Sequence, residues 1–408
     1  MKIYKIFNWS IFLGILLHLS LSLYTRDMKI IAHKKSATPV KEVKKIELPP
    51  FDKEHIHITL TCQSGLESLV RRESERLGLS QTSGQDRLVF GEGNLETLYK
   101  LLIGSRFSNR VYIEIAKEKI TDFDTLHDVL ASITWGDYLS GKEVIVIEAS
   151  STRSTLTSIP TIQSVGQKAI YSTLHTPDNA HAVEVHILIL LIDDVAHILL
   201  DITGDPLHKR GYRAESGEAP IKESLAAALI AFSGWRFREP MLDPFCGSGT
   251  IAIEAAMMAR NIAPGLMRHF RIESLPIHNR TLFLEAKENL KSKIYPSGSY
   301  TISASDLDKN MIDIAKRNAE RAGVAGDINF SCTEYLTTNN NHTIVTNPPY
   351  GKRLESESLH EIYTKLIKEI REYGGGFITT FPVDIRHGLA NKKLLNGSEE
   401  CRFWYKKN

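Results

Sequence analysis

Met241–Thr250 reads M-L-D-P-F-C-G-S-G-T and runs on into I-A-I-E-A-A at Ile251–Ala256: a short apolar strand, an acid at its end, a turn with two glycines, and a helix. Gly247 and Gly249 let the backbone turn tightly and leave no side chain between it and a ligand. Outward from this stretch, strands and helices alternate regularly. Strands are predicted at 241–243, 300–305, 327–332, 343–346 and 376–381, and helices at 224–232, 250–260, 280–292, 309–322 and 359–373. Such alternation predicts a parallel sheet covered by helices on both faces, a doubly wound, Rossmann-like α/β domain whose ligand lies beyond the carboxyl ends of the strands.

The charge at the strand end separates two kinds of glycine loop. A dinucleotide loop brings glycines and a helix N-terminus to a pyrophosphate, whereas Asp243 puts a carboxylate where a cationic amine is favoured. The D-P-x-C-G-S-G form therefore points to the methionine portion of S-adenosylmethionine, with Asp243, Pro244, Cys246, Gly247, Gly249 and Thr250 as the candidate cofactor loop. The next strand, in Y-T-I-S-A-S-D-L-D (Tyr300–Asp308), ends on Asp306, where a ribose diol would be gripped by two hydrogen bonds. Asp308 reads as the cap of the following helix. After the third strand, Glu334 is a candidate partner for the adenine amine.

The fourth strand ends in I-V-T-N-P-P-Y-G (Ile344–Gly351). Two successive prolines remove two backbone donors and hold the chain extended, so the Asn347 amide oxygen and the Pro348 carbonyl can face outward as paired acceptors. Paired acceptors suit a planar –NH2 group. Hydrogen bonds from its two protons favour rehybridisation of a nitrogen whose lone pair is delocalised into the ring, leaving it free to attack a methyl in line. Asn347, Pro348, Pro349 and Tyr350 are the candidate catalytic residues, with Tyr350 stacking on a base taken out of its helix or loop.

The N-terminal half is less regular. Strands near 56–62, 87–90, 110–116, 143–149, 183–192 and 195–202, with helices near 65–77, 95–103, 125–133 and 162–174, fit an α+β module. Its last two strands, broken at Asp193-Asp194, read as a hairpin. Between Asp205 and Pro220 the chain carries His208, Lys209, Arg210, Tyr212 and Arg213, which suits either an ordinary surface linker or contact with RNA phosphates.

Composition narrows the classes. A chain of 408 residues favours two or three domains. Hydrophobic residues at 42% and charged residues at 24% argue against a largely disordered or repeatedly membrane-threaded chain. A net charge of +2 leaves any nucleic-acid binding to local basic patches. The four cysteines form no C-x-x-C pair and the 15 histidines no H-E-x-x-H, so neither a disulfide framework nor a metal site is expected, and a reducing compartment is the simpler reading. Trp9–Tyr24 is mostly apolar, with Lys2 and Lys5 before it and Arg26, Lys29, Lys34 and Lys35 after it. It falls slightly short of the about 20 residues of a spanning helix and is followed by no small-x-small cleavage site. Three readings stay open: an extension upstream of a start at Met28, a membrane anchor on a cytoplasmic enzyme, and secretion, which a cofactor made and kept in the cytoplasm opposes. Residues 36–50 read as a solvated linker.

Four strings in order, D-I-T-G-D-P-L-H-K-R-G-Y-R (Asp201–Arg213), A-P-I-K-E-S-L-A-A-A-L (Ala219–Leu229), L-D-P-F-C-G-S-G-T-I-A-I-E-A-A (Leu242–Ala256) and N-P-P-Y-G-K-R-L (Asn347–Leu354), resemble the THUMP-domain class I RNA methyltransferases. Within them the chain is most similar to the N-terminal half of the bacterial large-subunit (23S) rRNA guanine-N2 methyltransferases, from His57 to the C-terminus. The resemblance implies a leader and linker at 1–54, a ferredoxin-like region at 55–92, a THUMP RNA-binding domain at 93–205 and a methyltransferase domain at 206–408. It implies methyl transfer from S-adenosylmethionine to N2 of a guanine in ribosomal RNA, with Asp243, Gly247 and Gly249 as cofactor loop, Asp306 as ribose acid and Asn347–Tyr350 as catalytic tetrad. A cytoplasmic monomer without a metal is expected, with membrane association only through 9–24. The chain departs from the family pattern at Glu334, where aspartate is expected, and at Lys352, a position often acidic. It also lacks the second methyltransferase half of the long bacterial enzymes, and its leader is foreign to them. The competing readings are a tRNA guanine-N2 enzyme, a DNA adenine-N6 methyltransferase, which the THUMP-like sequence disfavours, and a non-catalytic RNA-binding assembly factor, which intact Asp243, Gly247, Gly249 and Asn347 disfavour. On this segmentation, removing 1–205 is expected to abolish RNA selection and preserve cofactor binding.

Overall fold

The computed structural model describes residues 48–174, 183–214, 221–296, 300–337, 341–349, 356–383, 388–397 and 399–407. The 9–24 segment, Met28, Tyr350 and Lys352 lie outside the described residues. Among the described residues, no helix is long and apolar enough to cross a membrane.

The N-terminal sheet comprises β1 (Ile56–Cys62), β2 (Ser80–Gln85), β3 (Leu88–Gly93), β4 (Ser108–Lys119), β5 (Val144–Thr152), β6 (Glu184–Ile192) and β7 (Val195–Asp201), in the order β2-β3-β1-β4-β7-β6-β5. Helices α1 (Glu67–Arg76), α2 (Leu95–Gly104), α3 (Phe123–Ser132) and α4 (Ile159–Tyr171) accompany it. Alternate residues of β1, namely Ile56, Ile58, Leu60 and Cys62, enter the main core, while Leu88, Tyr112, Leu190 and Leu199 form a separate small cluster. Antiparallel pairing of β1 with β4 joins residues 56–93 and 108–201 into one sheet. The predicted hairpin turns through Asp193 (φ 51°) and Asp194 (φ 62°), both in the left-handed region that a two-residue primed turn requires. Strand β2 was not foreseen, because S-Q-T-S-G-Q has no apolar residue and is almost wholly exposed at the sheet edge.

The C-terminal sheet comprises β8 (Met241–Asp243), β9 (Ile302–Asp306), β10 (Ile328–Cys332), β11 (Thr343–Thr346), β12 (Gly375–Thr379), β13 (Ala390–Asn396) and β14 (Glu399–Tyr405), ordered β10-β9-β8-β11-β12-β14-β13. Strands β8 to β12 are parallel, and β14 runs antiparallel to β12 and β13. Its helices are α5 (Glu223–Ser233), α6 (Thr250–Ala259), α7 (Arg280–Lys291), α8 (Lys309–Arg321) and α9 (Ser356–Tyr373). Helices α5 and α6 are apolar nearly all round and almost wholly buried, as helices sandwiched on both sides must be. The strand order reverses at β8, with β9 on one side and β11 on the other, which makes this the topological switch point where a ligand is expected.

The two sheets share a core. Helix α2 packs on α7, with Tyr99 edge-on to Phe283 at 5.3 Å and its hydroxyl accepting the Asn279 N–H at 2.7 Å. The basic stretch after β7 is neither a surface linker nor a phosphate contact at two of its residues, since Arg210 and Tyr212 are each only 3% exposed. The Arg210 guanidinium donates to the Leu207 and Arg106 carbonyls and faces Glu254 of α6 at 3.5 Å, and the Tyr212 hydroxyl donates to the same carboxylate at 3.2 Å. The cause is Glu254 itself, a fully buried carboxylate that requires a cation and donors around it.

Candidate active site

Asp243, the last residue of β8, is 1% exposed. One carboxylate oxygen, Oδ1, accepts the Thr346 hydroxyl at 2.7 Å and the Phe245 N–H at 3.4 Å, whereas the other, Oδ2, is buried with no hydrogen-bond partner. Burial pushes the Asp243 carboxyl up to about 7, and the charge of Asp306 adds to the rise against the two hydrogen bonds that oppose it. The environment favours a cation or an N–H donor beside Oδ2.

The loop that follows is held from three sides. Cys246 N–H donates to the Ser305 carbonyl at 2.9 Å, and Gly249 N–H donates to the Cys246 carbonyl at 2.8 Å. Gly247 N–H donates to Asp306 Oδ2 at 2.9 Å, tying the loop to the end of β9. From α8, the buried Asn318 amide donates to the Ser248 carbonyl at 3.1 Å. Both glycines have positive φ, 51° at Gly247 and 85° at Gly249. A Cβ on Gly249 would sit 3.0 Å from that of Ala315, while one on Gly247 would project into open space, so Gly249 serves packing and Gly247 leaves an approach to the backbone. Pro244 and Cys246 are buried, and Thr250 is the first residue of α6. Burial, with the nearby acids Asp243 and Asp306, holds the Cys246 thiol well above the usual range.

Asp306 ends β9. Its oxygens accept one backbone N–H each, from Gly247 and from Asp308 at 3.0 Å, and each keeps acceptor capacity for a further donor. Asp308 caps α8 as predicted, accepting the Asn310 N–H at 2.8 Å. Glu334 is exposed just beyond β10, next to Thr333, whose N–H donates to the Asp306 carbonyl at 3.1 Å. After β11, the Asn347 Oδ1 atom is buried without a partner, Pro348 is buried, and the Pro349 carbonyl accepts the Tyr363 hydroxyl at 3.1 Å.

The structure thus brings Asp243, Gly247, Asp306 and the Asn347–Pro349 turn to adjoining strand ends, with Glu334 on the flank. Sequence reading missed Thr346, Asn318, Tyr363 and Thr379. Asn318 left a signal, a polar residue on the apolar face that Ile312, Ala315 and Ala319 define along α8. Tyr363 left none, because an aromatic in an amphipathic helix reads as ordinary core.

Residues 210–381 match the family described as RMKL-like, methyltransferase domain, and residues 57–112 match the RlmL ferredoxin-like domain. The chain is 36% identical over 317 residues to "Putative RNA methyltransferase YpsC" of Bacillus subtilis (strain 168), covering 75% of this chain and 82% of that protein. It is 35% identical over 369 residues to the ribosomal RNA large subunit methyltransferase K/L of Psychromonas ingrahamii, covering 83% of this chain and 48% of that protein, and so spans about half the length of that relative. Among solved structures, SMU.472, described as "a putative methyltransferase complexed with SAH", matches with a TM-score of 0.77 at 29% identity, over 88% of this chain and 99% of that one. Two domain types in one order, and a relative matched over most of both chains, leave one conclusion: the chain belongs to the RMKL-like methyltransferase family.

Proposed function

We propose that the protein transfers a methyl group from S-adenosylmethionine to the exocyclic N2 amine of a guanine in RNA, with large-subunit ribosomal RNA favoured over transfer RNA. The observation that carries this reading is the pair of buried acceptors without partners, Asp243 Oδ2 and Asn347 Oδ1, on strands joined by the Thr346–Asp243 hydrogen bond. A buried acceptor left unsatisfied costs about 1–3 kcal/mol. Two of them at adjoining strand ends fit two ligand amines, one on the cofactor and one on the base.

In this reading Asp243 takes the cationic amine of the cofactor, Asp306 its ribose hydroxyls and Glu334 its adenine amine, while Gly247 leaves room for close approach. Bound there, the cofactor supplies an electrophilic sulfonium methyl. Asn347 Oδ1 and the Pro348 carbonyl accept the two N–H bonds of the base amine and orient its nitrogen. Neither acceptor is basic enough to keep a proton, so the one lost from nitrogen passes to water. The names of the YpsC and K/L relatives support an RNA substrate, and the K/L name supports ribosomal RNA.

The test is methyl transfer from labelled S-adenosylmethionine to RNA from a strain lacking the protein, followed by mass spectrometry of the nucleosides. The expected product is N2-methylguanosine in large-subunit RNA. Asn347→Ala is expected to lower transfer by about 10²–10³-fold, the scale of losing one preorganised hydrogen-bonding group at a reacting centre, with S-adenosylhomocysteine affinity retained. Label in adenine or DNA, or full activity in Asn347→Ala, would overturn the reading, and absence of cofactor binding would favour the assembly factor.

A further inference from the structure

Resting on that reading, we infer that Tyr363 is a positioning residue, one that fixes the direction in which the chain leaves the Asn347–Pro349 turn. That turn has few soft torsions. Ring closure sets φ at Pro348 and Pro349, and a residue before proline is confined to the extended region, which restricts ψ at Asn347 and Pro348. The torsions left are φ of Asn347, where the chain leaves β11, and ψ of Pro349, where it leaves the turn. Rotation about ψ of Pro349 swings the Pro349 carbonyl and sets the exit direction.

That carbonyl is the one Tyr363 holds. The Tyr363 hydroxyl on α9 lies 3.1 Å from the Pro349 oxygen and 2.6 Å from Thr379 Oγ1, and the Thr379 oxygen also accepts the Phe381 N–H at 2.9 Å. A phenol has one proton. Given to Pro349, it obliges the Thr379 hydroxyl to donate to Tyr363, and Thr379 is free to do so because its oxygen receives the Phe381 amide. The directions agree along the whole relay, from Phe381 N–H through Thr379 and Tyr363 to the Pro349 carbonyl. The ring is fixed as well, stacked on Phe381 at 4.7 Å and 6° and edge-on to Phe377 at 5.4 Å and 61°. Tyr363 is 3% exposed and Thr379 1%, so bulk water does not replace either bond. Through α9, the turn after β11 is thereby referenced to the end of β12, while the cofactor loop on β8 is held by other bonds.

Tyr363→Phe keeps the ring and removes the hydroxyl, and Thr379→Val removes the hydroxyl behind it. Three quantities separate positioning from general stability: S-adenosylhomocysteine affinity, kcat and KM for methyl transfer to RNA, and amide-hydrogen exchange in the peptide that runs from β11 across the turn, where Pro348 and Pro349 carry no amide hydrogen and the signal comes from Asn347 and the residues after Pro349. For Tyr363→Phe we expect affinity within about twofold of wild type, kcat lower by roughly 10- to 100-fold, the scale of a misaligned reacting group, and faster exchange confined to that peptide. Thr379→Val is expected to show the same pattern more weakly. Unchanged kcat, or loss of cofactor affinity in step with kcat, would overturn the inference. If wild-type protein methylates no guanine in RNA, the functional reading fails on its own, and exchange still decides the role of Tyr363: faster exchange at Asn347 and just after Pro349 upholds it and unchanged protection there removes it.

Discussion

A carboxyl that burial pushes up to about 7 is roughly half protonated near neutrality, and this gives Asp243 a pH signature. In the proposed placement the cofactor's cationic amine lies beside it and favours the carboxylate, so binding would release the proton that the free protein carries below pH 7. Affinity is therefore expected to weaken as pH falls through 7, approaching about tenfold per unit when one proton is linked. Stability of the ligand-free protein has the opposite dependence. The folded-state value lies above the unfolded one, so this group's contribution is present at low pH and lost as pH rises through 7. Calorimetric titration with S-adenosylhomocysteine between pH 5.5 and 8.5 checks the first claim, and a flat profile would remove Asp243 from the amine site. Asp243→Asn is expected to weaken binding and abolish the slope. At this scale the sequence was legible where partners are local: Asp243 as a strand-end acid and Asp308 as a cap both follow from neighbours in the chain. It was silent where partners are lateral. Thr346 meets Asp243 across 103 positions, a contact that exists only once β8 and β11 pair.

Among elements, the two short central strands were predicted with the bounds observed, 241–243 and 343–346, because an acid-glycine turn and an Asn-Pro-Pro turn end them sharply. Strand β2 and the hairpin of β13 and β14 escaped, the first for lack of apolar residues and the second although Cys401 and Phe403 alternate with exposed Arg402. The loop between β8 and α6 yields a paired prediction from its glycines. Gly249→Ala forces a side chain into the left-handed region, costing about 1–2 kcal/mol, and drives its Cβ against Ala315, so the loss is expected mainly in stability by urea denaturation. Gly247→Ala carries a similar torsional cost but meets no atom within 4 Å, and its Cβ would occupy the approach proposed for the cofactor. Its loss is expected mainly in S-adenosylhomocysteine affinity. If the two variants exchange these behaviours, the cofactor does not approach the loop at Gly247.

For the whole molecule, the segmentation legible in the sequence predicts that a chain lacking 1–205 keeps cofactor binding, and the packing argues otherwise. One apolar core runs from Ile56 to Phe403 through both sheets. Gly265 lies so close to α2 that a Cβ there would come within 2.7 Å of the Ile103 Cα, and its N–H donates to the Ile103 carbonyl at 2.8 Å. The Arg106 guanidinium is buried against the Ile262 carbonyl, and its own carbonyl receives Arg210. Cutting at 205 removes Tyr99 from Phe283, Ile103 from Gly265 and Arg106 from Met257, Ile262 and Arg210, leaving apolar surface on α7 and unpaired polar groups in the segment between α6 and α7. None of this shows in the sequence, where the boundary after β7 looks like any change of pattern. Residues 206–408 alone are therefore expected to melt without a cooperative transition and to bind S-adenosylhomocysteine far more weakly than the full chain. Glu254→Ala in the full chain tests the same junction without a cut: it leaves Arg210 buried and uncompensated, a loss of about 3–5 kcal/mol for one partner of a buried pair. A truncated protein that melts cooperatively and binds with full affinity, together with a Glu254→Ala variant of unchanged stability, would mean that the methyltransferase domain folds independently and that the buried arginine is incidental.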